Sequence, residues 1–167
     1  VVYEMEVTMT NDAIEAQEGI WLGIDLGTQS VRVLAVGTSG GVLGQGSSAL
    51  TSRREEHRHE QDPEEWWRAV VTACRAAIKD LPAGSIRGVA VDGTSGTILL
   101  VDALGRTTTP ALMYDDARAS EQVGVVNEVG GKVWATLGYR MQASWALPKL
   151  VWLLANQHDK LVGHRLV

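Results

Sequence analysis

The chain has 167 residues, 45% apolar and 21% charged, with a formal net charge of -5. Length and composition suit one ordered domain with a real core, and the acidic balance speaks against non-specific binding to nucleic acid or to an anionic membrane. A single cysteine, Cys74, excludes an internal disulfide framework and a cysteine zinc cluster, and a cytoplasmic setting is expected.

No apolar run approaches the ~20 residues that span a bilayer. Residues 1–19 are acidic, lack the basic start of a secretory signal, and read as an N-terminal extension. Ile20 to Leu26 is predicted as a buried strand. Ser30 to Gly37 alternates, with Val31, Val33 and Ala35 on one face and Arg32, Leu34 and Val36 on the other. "TSGG", Thr38 to Gly41, is a hairpin signal, and the following "VLGQGSSAL" returns as a third strand weakened by its glycines. The chain thus opens with an antiparallel meander.

Thr51 to Gln61 contains no apolar residue and is predicted as a solvated loop. Its run "HRHEQD", His57 to Asp62, has metal-ligand residue types but no fixed periodicity, and is assigned to solvent. Asp62, Pro63 and Glu65 then signal a helix start: a cap, a proline at the first helical position and a capping-box spacing. Trp67, Val70, Val71, Cys74, Ile78 and Leu81 recur at helical spacing and are the predicted buried stripe. Cys74 lies on that stripe as a small core residue.

A strand, a Gly-rich turn, a second strand and a hairpin at Ala103 to Gly105 follow, and then a short strand running into a loop. A helix is predicted from Ala117 to Val129, ended by the Gly130–Gly131 pair, with a short segment from Lys132 to Leu137. The last helix, "SWALPKLVWLLANQ", is predicted to be capped by Ser144 and to turn Leu147, Leu150, Val151 and Leu154 inward. His158 and His164 stand alone. No Ser-His-Asp order occurs in a nucleophile-elbow context. The element order β-β-β-α-β-β(β)-α-α predicts an α/β domain, a mixed sheet with helices on both faces.

Two stretches echo one another. "GIDLGT" and "AVDGTSGT" each run from a strand into Asp, Gly and Thr, placing Asp25 and Asp92 at strand C-terminal ends, where open α/β sheets bind ligands. A glycine there lets backbone amides approach an anion, hydroxyls donate to phosphate oxygens, and a carboxylate holds Mg²⁺ directly or through water. Each motif alone is also ordinary turn chemistry. The second lacks a following helix, so it is neither a Walker loop nor a dinucleotide fingerprint.

Four blocks, "GIDLGTQSVRVLAV", "EQDPEEWW", "VAVDGTSGTILLVDALGRTTTPALMYDDAR" and "PKLVWLL", occur in an order and spacing that resemble the N-terminal part of the FGGY family of carbohydrate kinases. The "DGTSGT" turn looks more like the xylulokinase-like and D-ribulose kinase branches than like glycerol kinases. Thr94 and Ser95 stand where xylulokinases often carry Met-His, and Tyr114 stands where the family usually has Trp.

The resemblance implies an actin-like ATPase (ribonuclease H-like) fold and ATP-dependent phosphorylation of a sugar hydroxyl, with a ketopentose such as xylulose or ribulose as substrate. By resemblance, Gly27, Thr28 and Gln29 bind the ATP phosphate, and Asp25 supports catalysis and positions Mg²⁺. Gly93, Thr94, Ser95, Asp116 and Arg118 bind the sugar. Residues 20–167 are expected to be an incomplete N-terminal domain. The C-terminal ATP-binding domain and the general base are expected to lie outside the chain, leaving it inactive alone. Expected partners are a small-molecule sugar and a second copy in a homodimer, with no nucleic acid and no membrane. Two other readings use the same residues. One is a metal-dependent nuclease of ribonuclease H-like fold with Asp25 and Asp92 as two-metal ligands. The other is a non-catalytic actin-like sugar-sensing module.

Overall fold

The computed structural model describes residues 19–82 and 84–167, so the predicted extension falls almost wholly outside the described residues. Nine strands and four helices follow in chain order among the described residues. They are β1 (Ile20–Leu26), β2 (Ser30–Gly37), β3 (Val42–Ala49), β4 (Arg53–Glu55), β5 (Arg58–Gln61), α1 (Pro63–Ile78), β6 (Ile86–Gly93), β7 (Leu100–Val101), β8 (Ala111–Leu112), α2 (Gln122–Leu137), α3 (Ala146–Asn156), α4 (His158–Leu161) and β9 (Arg165–Leu166).

β1, β2 and β3 form the predicted meander, and β6 adds to β1 in parallel, giving a four-stranded sheet of order β3-β2-β1-β6. Strand alternation in β2 buries Val31, Val33 and Ala35, as the sequence predicts. Val31 and Val33, with Ile24, meet Ala69, Ala73 and Ala77 of α1, and Ala35 packs with Ile20 and Leu22. Burying each Val or Ile side chain contributes about 1.5–3 kcal/mol. β6 is the sheet edge beyond α1, and Val89 and Val91 are exposed there.

The buried stripe of α1 is rotated from the predicted one. Trp67 is exposed; Val70, Cys74 and Ile78 only flank an alanine face. The reason lies in β3, where Gly44 and Gly46 face the helix. A Cβ at Gly44 would lie 2.0 Å from the Ala77 carbonyl oxygen, and one at Gly46 would lie 2.1 Å from that of Ala73. The glycines that looked like a weakness are what lets helix and sheet touch backbone to backbone. Asp62 caps α1 as predicted, accepting from the Glu64 amide at 2.9 Å. Glu65 departs from the capping-box prediction: its carboxylate accepts from the Thr51 amide and hydroxyl at 3.0 and 2.6 Å.

Thr51 to Gln61 is not a solvated loop. It folds as the β4–β5 hairpin, and β5 pairs onward with β8. Period-two alternation turns His59 and Gln61 inward, where both are buried. The inward side chains find partners there, His59 Nδ1 with Asp115 and Gln61 with Thr28, Ser52 and Trp66.

Two further boundaries move. α2 runs through Gly130 and Gly131 and ends at Gly138, which is left-handed at φ 77°. Gly130 is needed because the Trp134 ring lies over it: a Cβ would meet the indole at 2.4 Å. Trp134 Nε1 donates to the Val126 carbonyl at 2.9 Å, so the ring fills the gap that the glycine leaves. The predicted 132–137 segment is therefore the end of this helix. α3 begins after Trp145, with no side-chain cap from Ser144. It buries Pro148, Lys149 and Leu153, and Leu154 is exposed. Leu153 packs on Ile98 and Leu112, which seats α3 beside the smaller β5–β8 sheet.

Candidate active site

Parallel pairing of β1 with β6 places Asp25 opposite Asp92 in register, and Leu26 opposite Gly93. The two echoed motifs thus end side by side at the C-terminal ends of adjacent strands, both carboxylates exposed. Asp25 lies 3.7 Å from Arg32, a loose pair in solvent. Asp92 Oδ1 accepts from the Gly93 amide at 3.0 Å, which tightens the second turn. The Gly27 amide donates to the Ser30 carbonyl at 3.2 Å and closes the first. Gly27, Gly93 and Thr94 line one cleft of about 270 Å³ together with Gln61, Trp66 and Thr97. The Thr97 hydroxyl is buried there without a partner. Gln29 is exposed at the tip of the first turn.

Gln61 was not foreseen, and it holds the first turn in place. Its Nε2 donates to the Thr28 carbonyl at 2.6 Å and to the Ser52 hydroxyl at 2.8 Å. Its Oε1 accepts from Trp66 Nε1 at 2.7 Å. The signal was present in the alternation of "RHEQ", which places His59 and Gln61 on one face.

Ser95 opens on a second pocket, of about 370 Å³, lined by Ser95, Gly96, Tyr114, Ser144, Trp145 and Ala146. Gly96 is left-handed at φ 77°, and a Cβ there would lie 2.2 Å from the Ser144 carbonyl oxygen. Only glycine meets both conditions. Beneath this pocket lies Lys149, wholly buried. Its ammonium donates to the carbonyls of Gly96, Tyr114 and Ser144 at 2.8, 3.0 and 3.1 Å. Burial lowers its pKa to about 8, against the opposing attraction of Asp116 and Asp115.

Neither Asp116 nor Arg118 lines the Ser95 pocket, and both side chains are buried. Asp116 is buried and accepts from the His59 amide at 2.8 Å. It also accepts from the Arg118 amide, Nε and Nη2 at 3.1, 2.8 and 2.7 Å. Arg118 Nη2 reaches Glu60 at 2.6 Å, and the guanidinium lies 5.2 Å from the Trp152 ring centroid. Burial works against the Arg118 charge, but Asp116 and Glu60 outweigh it and raise the pKa. Asp115 is paired with His59 and Arg54. Partial burial would raise its pKa, but the two partners hold it below the ordinary carboxylate value.

Asp25 and Asp92 form a pair of hard oxygen donors. Mg²⁺ suits such a pair, because it keeps several waters and takes one or two carboxylates with substrate phosphates. Among the described residues no three His, Cys, Asp or Glu side chains converge, so a metal cage is not built there.

A mixed sheet with an opening meander, and ligand turns where β1 and β6 end, is the arrangement of an actin-like ATPase domain. A solved structure described as a xyloylose kinase from Brucella ovis superposes with a TM-score of 0.82 at 27% identity, covering 89% of this chain and 32% of that one. The model of the N-terminal domain of the FGGY family of carbohydrate kinases matches residues 20–165. The chain belongs to that family. The xylulose kinase of Escherichia coli is 29% identical over 141 residues, covering 84% of this chain and 29% of that protein. That of Streptomyces coelicolor is 32% identical over 154 residues, covering 87% and 31%. The chain therefore spans less than a third of the length of these relatives. Family membership leaves the nuclease reading of Asp25 and Asp92 without support.

Proposed function

We propose that this chain is the sugar-binding and first phosphate-binding part of an ATP-dependent carbohydrate kinase whose substrate is a ketopentose such as xylulose or ribulose. The observation that carries the reading is the in-register placement of Asp25 and Asp92 at the ends of adjacent parallel strands, with the Gly27 and Thr94 turns opening on one cleft. ATP supplies the phosphoryl group, and Mg²⁺ offsets the phosphate charge. Asp25, with Asp92 beside it, is the carboxylate assigned to Mg²⁺. The turn Gly27 to Gln29 is assigned to phosphate through the Gln29 amide and the Thr28 hydroxyl, with the Gly27 amide closing the turn on Ser30 and Gln61 fixing the Thr28 carbonyl so that it is preorganised. Gly93, Thr94 and Ser95 present the sugar-side turn. Asp116 and Arg118 act on the sugar indirectly, as the braced frame behind Tyr114.

Phosphoryl transfer depends on positioning and charge stabilisation, so half a site binds without turning over. In this reading residues 20–167 are an incomplete N-terminal domain, and the general base and the adenosine site belong to a second lobe. A cytoplasmic setting and a homodimer complete the reading. The four helices of the described residues include none long and apolar enough to cross a membrane.

The test couples ADP release to NADH oxidation. The chain alone is expected to give no turnover of D-xylulose or D-ribulose with ATP and Mg²⁺, and joined to a second lobe it is expected to give turnover. Turnover by the chain alone overturns the incomplete-site reading. Sugar binding without turnover in the two-lobed protein points instead to a sensing module.

A further inference from the structure

Of the six residues lining the Ser95 pocket, three give their backbone carbonyls to one buried ammonium. They come from separate stretches: Gly96 from the turn after β6, Tyr114 from the segment after β8, and Ser144 from the approach to α3. Carbonyls rarely converge, since their dipoles repel unless a cation sits among them. An ammonium has three donors and no acceptor, so the three carbonyls match its full capacity. Lys149 reaches them from the first turn of α3, where Pro148 beside it is also buried.

We propose that Lys149 is a positioning residue, a three-way clasp that fixes the Gly96 turn, the Tyr114 segment and the Ser144 approach as one rigid wall of the sugar pocket. This rests on the reading of that pocket as the sugar site. The clasp has a backbone complement: Gly96 and Ser144 are packed so closely that no Cβ fits between them. It also has an electrostatic complement, because Asp116, with its Arg118 partner, and Asp115 lie near enough to act on the ammonium. Releasing it frees all three segments together, since each loses the same partner.

The test compares the wild-type chain with Lys149→Met and Lys149→Arg. Methionine keeps the unbranched stem, one atom shorter, and removes the donors. Arginine keeps the charge, but its planar fork cannot send three N–H groups from one nitrogen to the three carbonyl oxygens. Amide exchange is read at Ile98, Asp116 and Trp145, one hydrogen-bonded reporter in each tied segment, against Val33 in the core of β2. Both variants are expected to speed exchange at the three reporters by about tenfold or more, with Val33 unchanged. Binding of D-xylulose, followed by saturation-transfer NMR, is expected to weaken about tenfold or more in the same samples. Unchanged exchange at the three sites, or a uniform rise that includes Val33 in Lys149→Arg, overturns the clasp. If Lys149→Met does not fold, Lys149→Arg decides alone. If the wild-type chain takes no D-xylulose, the sugar reading of the pocket fails, while the exchange pattern still decides the clasp.

Discussion

Replacing Asp116 with alanine should cost this fold more than any single surface change. Asp116 accepts from the His59 amide, and from the Arg118 amide and guanidinium, with no exposure to water. Removing it leaves the largely buried Arg118 guanidinium with Glu60 as its remaining ionic partner, over the Trp152 ring. Breaking a buried ion pair from one side costs about 3–5 kcal/mol. Glu60 stays in place at 2.6 Å, so the lower end of that range applies. Domains of this kind hold only about 5–15 kcal/mol in total, so the variant should be marginal. For a chain of this size about 3 kcal/mol corresponds to a Tm lower by roughly 6–12 °C. Urea unfolding followed by circular dichroism measures the loss. Asp116→Asn keeps an acceptor for the His59 amide without the charge and should fall between the two. Arg53→Ala, which breaks the exposed pair with Glu55, should have no measurable effect. A loss below about 1 kcal/mol in Asp116→Ala, with Arg118 still ordered, would refute the reasoning, because Glu60 alone would then suffice to hold the charge.

Gly46→Ala should destabilise by about 1–3 kcal/mol, since its Cβ would press on the Ala73 carbonyl and on Ala77, which are backbone and cannot swing away; thermal unfolding measures it, and a neutral result would mean α1 can lift off the sheet at no cost. Gln61→Leu should leave the Thr28 carbonyl and Trp66 Nε1 without their partner, at about 1–3 kcal/mol for each group that stays buried. Nucleotide binding in the two-lobed protein should weaken with it, whereas a purely structural loss would leave nucleotide affinity intact. Lys149 gives a pH dependence of definite sign. Its folded pKa is about 8 and its unfolded value is about 10.4, so between them the unfolded chain holds a proton that the folded chain has released. Stability carried by this group therefore rises with pH from about 8 to about 10, and urea midpoints across that window should lose the rise in Lys149→Met. Asp115 has the opposite window. Its carboxyl is held below the ordinary value, so its contribution is present above about pH 4 and is lost on further acidification, which Asp115→Asn should flatten.

An apolar run was enough to find β1, whose outer face the structure leaves exposed at Trp21, and alternation was enough to find β2, because one face is buried and a register slip would expose it. The Asp62 cap was legible because its partner lies two residues away. The echo of "GIDLGT" in "AVDGTSGT" was legible as two turns of Asp, Gly and Thr at strand ends, and the family resemblance supplied the expectation of phosphate and Mg²⁺ there. What failed at this level depended on distant partners. The alanine face of α1 is chosen by two glycines in β3 that come close only after folding. The polar hairpin of β4 and β5 is held by β8 and by the Asp116 carboxylate, 57 residues from the His59 amide it accepts. Gly130 reads as a helix stop until the Trp134 ring is laid over it.

The sequence by itself determined which side-chain types stand at the ends of two strands, since those are local facts. Only the tertiary structure decided how those groups meet: Asp25 beside Asp92, Asp116 and Arg118 turned inward, and Gly96, Tyr114 and Ser144 gathered on Lys149. Such juxtapositions arise from long-range pairing and packing, and no pattern within one stretch of chain records which distant groups will become neighbours.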